Sequence, residues 1–464
     1  FQMVAPDARH ARPVTAPALW SPGGRPLVAW YGDDFTGTLA VLEVLDSAGL
    51  PGVVFLREPS EAEKARFSEV AAIGYAGTAR AETPDWMDEH LPPIYDRLDE
   101  TGAEILAYKI CSTLDSSPET GSIGRAAEIA ARRFAQGSIP CIVAAPWMGR
   151  YQAFGSVYAT GPDGAIHRLD RHPVMTRHPV TPMDEADIRL HLARQTDLPL
   201  HNRDMTTLDD VEMPWPEGLV GMDACTDDHM RDVGRLIWEG RKDRRFVFGS
   251  QGIQMALVLW WRAQGLLPEE PPRAQIGRRQ TVVISGSVSP TTRDQMVHAQ
   301  ANGFVSQRLD AVALIASKQT CEAEIESVVA KAAEIAASGA NPLLFTALGP
   351  DDPAVAAFNA HAEQSAGRRN ACYRKLGDAL GQCLSATLAA TGLRRAVVAG
   401  GDTSGRIMDA LDGYAVTPVI RFAPGSSLFL LHAGNSLDGI EIMLKGGQMG
   451  PRDIFTSVAD GLSE

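Results

Sequence analysis

Short apolar runs alternate along this chain with stretches in which apolar positions recur every three or four residues. The first pattern suits strands buried on both faces, and the second suits helices laid against them. Their alternation predicts parallel sheets covered by helices. In the N-terminal half, residues 27–31, 53–56, 70–73, 105–108 and 141–144 read as buried strands. Helical spacing falls at 38–47, 85–98 and 123–134, and a strand at 246–248 feeds a helix that begins near Gln251. The stretch from Trp147 to Pro182, rich in Gly, Pro, His and Arg, reads as irregular; long connections of that kind usually carry function.

The proline-rich, charged run from Gly265 to Gln280 reads as an interdomain linker. A second series follows, with strands at 282–285, 343–346, 396–399 and 440–444 and helices at 291–301 and 372–391. The expected organisation is therefore an N-terminal extension over 1–25, a first domain over 26–264, the linker over 265–280 and a second domain over 281–464. Phe1-Gln2 ahead of Met3 reads as an expression remnant. The fold class is α/β, two domains, each a largely parallel sheet flanked by helices. No internal repeat stands out.

Composition changes this picture only by exclusion. A chain of 464 residues, 45% hydrophobic and 22% charged, has the make-up of an ordinary globular protein and the length for two or three domains. Its formal net charge of −14 disfavours nucleic acid and anionic membrane as partners. The most apolar stretch, 255–261, is short and soon interrupted by Arg262, as in a buried helix rather than a membrane span. Six cysteines without CxxC or Cys/His pairing argue against zinc and against a disulfide framework, so no metal site is assigned and a cytoplasmic location is expected.

Four constellations carry candidate chemistry. The strand at 27–31 ends in Asp33-Asp34-Phe35-Thr36-Gly37, placing two acids where parallel sheets bind ligands. One carboxylate could serve as a base on a hydroxyl, or Asp34 could simply cap the next helix. Three glycine-rich turns, at 285–289, 400–405 and 445–450, each follow a strand and precede a helix in the second half. Glycine lets backbone approach phosphate, and helix starts favour anions. Singly these are ordinary turns; together they point to a nucleotide. The segment Lys109-Ile110-Cys111-Ser112-Thr113-Leu114-Asp115 opens a strand end into hydroxyls suited to a polyhydroxy substrate. Cys111 has no paired histidine and reads as structural. Arg80, Arg150 and the Arg177-His178-Pro179 run supply guanidiniums able to hold a carboxylate bidentately. There is no GxxxxGK[ST], no GxGxxG on the first strand of either half, and no protein-kinase signature, which disfavours P-loop and protein-kinase designs and leaves a dehydrogenase, the rival enzyme reading, without its dinucleotide loop.

Taken in order, these motifs resemble the four-carbon acid sugar kinase family over nearly the whole chain, from Ala29 to Phe455. The resemblance rests on DDFTG at Asp33–Gly37, KICSTLD at Lys109–Asp115, the His-Pro-x-x-Pro-Met run from His178 to Met183, and the turn from Gly249 to Gly252. In the second half it rests on SGSVS from Ser285, GGDTSG from Gly400 and KGGQMG from Lys445. It implies an N-terminal acid-sugar domain, a C-terminal ATP domain and an active-site cleft between them. Residue by residue, ATP contacts fall on Ser287, Gly400, Gly401, Asp402, Thr403 and Gly447, with Mg²⁺ between the phosphates.

The acid-sugar side falls on Arg80, Lys109, Ser112, Asp115 and Arg150, and the catalytic pair on Asp34 as general base and Asp33 as its orienting partner. The middle motif is most similar to the 3-oxo-tetronate kinase branch, which makes phosphorylation of the terminal hydroxyl of 3-oxo-tetronate the expected reaction. Threonate, erythronate or a branched five-carbon oxo acid such as 3-oxo-isoapionate are the alternatives, since the 149–155 segment departs from the branch. Gln448-Met449 also replaces the family's common Asn-Phe. The partners implied are a small sugar acid and ATP, with room for a homo-oligomer. A sugar-acid sensor without turnover is the competing non-enzyme reading.

Overall fold

The structure is a computed structural model that describes residues 19–21, 23–178, 180–270, 275–364 and 369–461; the side chains of residues 369, 370 and 401–403 lie outside that description. The described residues up to 270 form one compact unit and those from 275 on another. Most of the predicted extension, the linker positions 271–274 and Pro179 fall outside the described residues.

The N-terminal unit is built on eight parallel strands. In chain order they are β1 (Val28–Gly32), β2 (Gly52–Phe55), β3 (Ala72–Ala76), β4 (Ile105–Lys109), β5 (Ser138–Ile142), then β9 (Leu200–Arg203), β10 (Gly218–Met222) and β11 (Phe246–Gly249). Their lateral order is β2-β3-β1-β4-β11-β5-β10-β9, every neighbour parallel. The chain moves from β1 to one side and then returns to β4 on the other, so β1 and β4 flank a switch point, where open α/β sheets bind ligands. Trp30 on β1 is fully buried and donates its indole N–H to Thr38 O at 3.2 Å. Tyr108 and Phe248 stack at 5.0 Å beneath the same edge.

Two sequence expectations need correction here. The strand expected at 141–144 begins at Ser138, because the buried β5 contains Ser138 and Pro140, which break the apolar run. Pro140 is tolerated because β5 pairs with β11 only from Cys141 onward, leaving its missing N–H on an unpaired side. The stretch expected to be irregular between 147 and 182 instead carries an antiparallel sheet of β6 (Arg150–Ala153), β7 (Ser156–Thr160) and β8 (Ile166–Arg168). Its alternation was masked because the buried positions are Gln152, Val157 and Ala159, polar or small. Phe154 and Gly155 make its tight turn at φ 50° and 82°, with the Gly155 N–H donating to the buried Asp223 carboxylate at 3.0 Å.

The C-terminal unit repeats the same four-strand order. Its strands are β12 (Val282–Ser285), β13 (Phe304–Arg308), β14 (Asn341–Phe345), β15 (Arg395–Ala399), β16 (Gly413–Ala423), β17 (Ser426–Ala433) and β18 (Glu441–Lys445), ordered β13-β14-β12-β15-β18-β17-β16. The first five of that order pair in parallel, and β16 and β17 add an antiparallel hairpin absent from the sequence reading. The helix Lys318–Ala337 was missed as well; few of its residues are buried, so its apolar stripe is weak. The switch point here lies between β12 and β15. Among the described residues no helix is long and apolar enough to cross a membrane.

Candidate active site

At the first switch point, β1 and β4 end side by side, with Gly32 opposite Lys109, and the Asp33 N–H donates to Lys109 O at 3.0 Å. That register sets the two acids next to the lysine. Arg80 reaches them from the short helical turn Ala79–Ala81 after β3, and its own N–H donates to Asp33 O at 2.9 Å. The guanidinium bridges both carboxylates: Nε to Asp33 Oδ2 at 3.2 Å, Nη2 to Asp33 Oδ1 at 2.7 Å and to Asp34 Oδ1 at 2.6 Å. Lys109 is buried, with Nζ 3.8 Å from Asp34 Oδ1.

Asp34 does cap the helix Phe35–Asp46, accepting from Gly37 N at 3.1 Å, and Thr36 Oγ1 donates to its Oδ2 at 2.7 Å. A Cβ at Gly37 would run into Asp34 Oδ1 and the Lys109 ammonium, so a larger residue there would have to displace them. The two acids shift in opposite directions. Burial raises the Asp33 pKa, against Arg80 and Lys109. Asp34 also pays for burial, but Arg80, Lys109 and the Thr36 and Gly37 bonds together hold it below the ordinary carboxylate range. Its side chain is 24% exposed against 4% for Asp33, so Asp34 is the more accessible carboxylate of the two.

The hydroxyl segment continues from β4. Cys111 Sγ lies 2.9 Å from Thr113 Oγ1, which donates to Asp115 Oδ1 at 2.8 Å, while Ser112 stays half-buried between them. Burial, and next the Asp115 charge, push the Cys111 thiol up to about 11, so it stays protonated at neutral pH. Leu114 adopts φ 55°, and Ser116 secures this turn by donating to Leu114 O at 2.9 Å. Arg150 sits elsewhere. It follows β5, three strands from β1 or roughly 14 Å at ordinary strand spacing, and donates to the carbonyls of Met148 and Gly149 at 3.2 and 3.1 Å. Arg177, in a short helical turn over Met175–Arg177, likewise makes no contact with the acid cluster among the described hydrogen bonds.

At the second switch point, β12, β15 and β18 are adjacent and parallel, with Ser285, Ala399 and Lys445 in register. The ladder runs on past the strand ends: Gly286 N donates to Ala399 O at 3.2 Å and Gly400 N to Lys445 O at 3.0 Å. All three glycine-rich turns therefore leave one edge of one sheet. The helix Pro290–Gln300 starts here with Ser289 as its cap, and the helix Gly401–Ala410 starts after Gly400 with no side-chain cap. Two helix starts at one edge make an anion-attracting site.

Gly400 lies at φ 141° and ψ 118°, a conformation open essentially to glycine. A Cβ on Gly447 would stand 2.5 Å from Ser287 Oγ, so the first and third turns touch. Ser287, Gly400, Gly401 and Gly447 are thus brought together, while the Asp402 and Thr403 side chains lie outside the description. Sequence reasoning passed over Thr36, Ser289, Thr292 and Lys445. Each stood inside or beside a quoted motif, but their partners are distant in sequence. Among the described residues no group of three His, Cys, Asp or Glu could hold a metal ion.

Comparison with known proteins agrees with the division into two units. A family described as a sugar-binding N-terminal domain matches residues 28–257, and one described as a nucleotide-binding C-terminal domain matches 282–455. A 3-oxo-isoapionate kinase of Paraburkholderia graminis is 42% identical over 449 residues, covering 94% of each chain. A 3-oxo-tetronate kinase of Methylobacterium radiotolerans is 28% identical over 442 residues, covering 92% of this chain and 97% of the relative. The crystal structure of a Salmonella typhimurium protein superposes with a TM-score of 0.75 at 21% identity, covering 92% of this chain and 98% of that one, a likeness of fold. With both domain descriptions matched and a full-length relative at this identity, the chain belongs to the four-carbon acid sugar kinase family.

Proposed function

We propose that this protein transfers the terminal phosphate of ATP to a hydroxyl of a small oxo sugar acid. The observation that carries the reading is the gathering of three glycine-rich turns and two helix starts at one edge of β12, β15 and β18, an anion site in the unit matched as nucleotide-binding. ATP supplies the phosphoryl group; phosphoryl transfer asks the protein chiefly for positioning and charge neutralisation. Ser287, Gly400, Gly401 and Gly447 offer backbone and hydroxyl groups to phosphate oxygens, with Asp402 and Thr403 assigned there by the family resemblance.

In the other unit, Asp34, ionised and partly exposed, accepts the acceptor hydroxyl's proton. Asp33 fixes Arg80, and Arg80 fixes Asp34. Because Arg80 is engaged by two aspartates, Lys109 is the better cation for the substrate carboxylate, with Ser112 and Asp115 for its hydroxyls. Arg150 would reach only the far end of a branched acid.

The full-length similarity at 42% favours 3-oxo-isoapionate as acceptor, with 3-oxo-tetronate second and threonate or erythronate after it. This reverses the order expected from the middle motif. The test is kcat/KM with ATP for these acids beside their neutral sugars. An oxo acid should lead by orders of magnitude, since a neutral sugar leaves the cation unpaired. Binding of an acid without ATP turnover would favour a sensor, and preference for a neutral sugar would overturn the substrate class.

A further inference from the structure

β18 ends in a lysine whose charge no described side chain neutralises. Lys445 is 0% exposed, yet among the described side chains no carboxylate pairs with it. Its Nζ donates to Gly446 O at 3.1 Å and to Thr292 Oγ1 at 3.4 Å, and stands 5.8 Å from the Phe455 ring centroid. Burial lowers its pKa to about 8, which leaves it mostly protonated at neutral pH. A buried ammonium without a counter-charge is costly, and the cost is offset only where an anion arrives.

The surroundings say where that anion would come from. The Thr292 hydroxyl that Lys445 touches donates to Gly447 O at 2.6 Å, and the Ser289 hydroxyl donates to the same carbonyl. Lys445 therefore lies behind the junction of the turns that follow β12 and β18, beside the narrow gap between Gly447 and Ser287. Both turns face the edge already assigned to phosphate. Among the described side chains, the cation under this glycine-rich loop has no acid beside it.

We infer that Lys445 is a positioning residue for the nucleotide's polyphosphate, supplying counter-charge beneath the Gly446-Gly447 turn and tying that turn through Thr292 to the start of the helix Pro290–Gln300. The inference rests on the ATP reading above and goes beyond it by assigning a role to a residue with no exposed surface. Lys445→Met removes the charge and keeps the apolar bulk, so a merely structural role and an electrostatic one part company. The polyphosphate feels the change; the nucleoside does not.

The experiment is calorimetric binding of Mg-ATP, Mg-ADP and adenosine to the full chain, wild type beside K445M and K445R. K445M should weaken ATP and ADP by about 10–100-fold, the usual worth of a lost charge-assisted contact. Adenosine should change less than twofold, K445R should recover much of the ATP affinity, and the unliganded melting temperature of K445M should not fall. If K445M does not fold, K445Q takes its place, since its amide can still reach Thr292 and Gly446 without the charge. ATP affinity within twofold of wild type, or equal losses for ATP and adenosine, overturns the inference. Wild type failing to bind Mg-ATP at all would instead overturn the ATP reading beneath it.

Discussion

Arg80→Met is the most informative single change in the N-terminal unit. The substitution removes three charge-assisted bonds at once, two to Asp33 and one to Asp34, and leaves two adjacent carboxylates facing each other. Removing one partner of a buried ion pair costs about 3–5 kcal/mol. Asp33 can recover part of this by taking up a proton, because burial already raises its pKa. A net loss of about 3 kcal/mol follows, and at roughly 2–4 °C per kcal/mol for a unit of this size the melting temperature should drop by about 6–12 °C.

The loss should depend on pH, and both acids give it the same sign. Asp33 has a folded pKa above its unfolded one, so its contribution is present at acid pH and is lost as pH rises through the folded value; removing Arg80 raises that value further. Asp34 has a folded pKa below its unfolded one, so its contribution is present above the ordinary carboxylate range and is lost as pH falls; removing Arg80 takes much of it away at neutral pH. The melting deficit of the variant should therefore be largest at pH 7 to 8 and smaller near pH 4, where the Asp33 share shrinks while the Asp34 share persists until the pH falls below the ordinary carboxylate range. Differential scanning calorimetry across that range is the assay, read as melting temperature because two units need not unfold in one step. A deficit under 2 °C at pH 7, or one that is equal at pH 4.5 and pH 8, would refute the reasoning.

Asp34→Asn should keep the fold, since asparagine caps a helix as well as aspartate, yet lower kcat by about 100-fold or more; near-native turnover would return Asp34 to a cap alone. Gly400→Ala should strain the turn by about 1–3 kcal/mol and raise the KM for ATP at least several-fold while acid binding, followed by calorimetry, stays unchanged. Equal losses for both ligands would mean that the variant is misfolded and that the turn has no special tie to nucleotide.

What could be read along the chain was whatever local periodicity encodes. Buried parallel strands are continuous apolar runs, so β1, β4, β12 and β15 were legible to within a residue or two, and the helix Ile123–Phe134 was placed at its observed ends. Where buried positions are small or polar, as in β6 and β7, the same reasoning failed. The motifs DDFTG, SGSVS, GGDTSG and KGGQMG marked strand ends correctly, because a strand followed by glycine and a helix is a local event. Within GGDTSG, however, it is Gly400 rather than Gly401 that carries the positive φ, a choice made by the ladder from β18 through Lys445 O.

The pairings across long separations belonged to the tertiary structure alone. Arg80 is 46 and 47 residues from the acids it bridges, and nothing in its own neighbourhood distinguishes it from Arg150, which turns to nearby carbonyls instead. The parallel register of β1 with β3 and β4 decides the matter by bringing three strand ends to one edge. Lys445 is the sharper case. Its sequence setting places it where a strand opens into a glycine-rich turn, and packing behind Gly446 and Thr292 buries its charge. Burial depends on what every neighbouring element contributes, and no single stretch of sequence carries that sum.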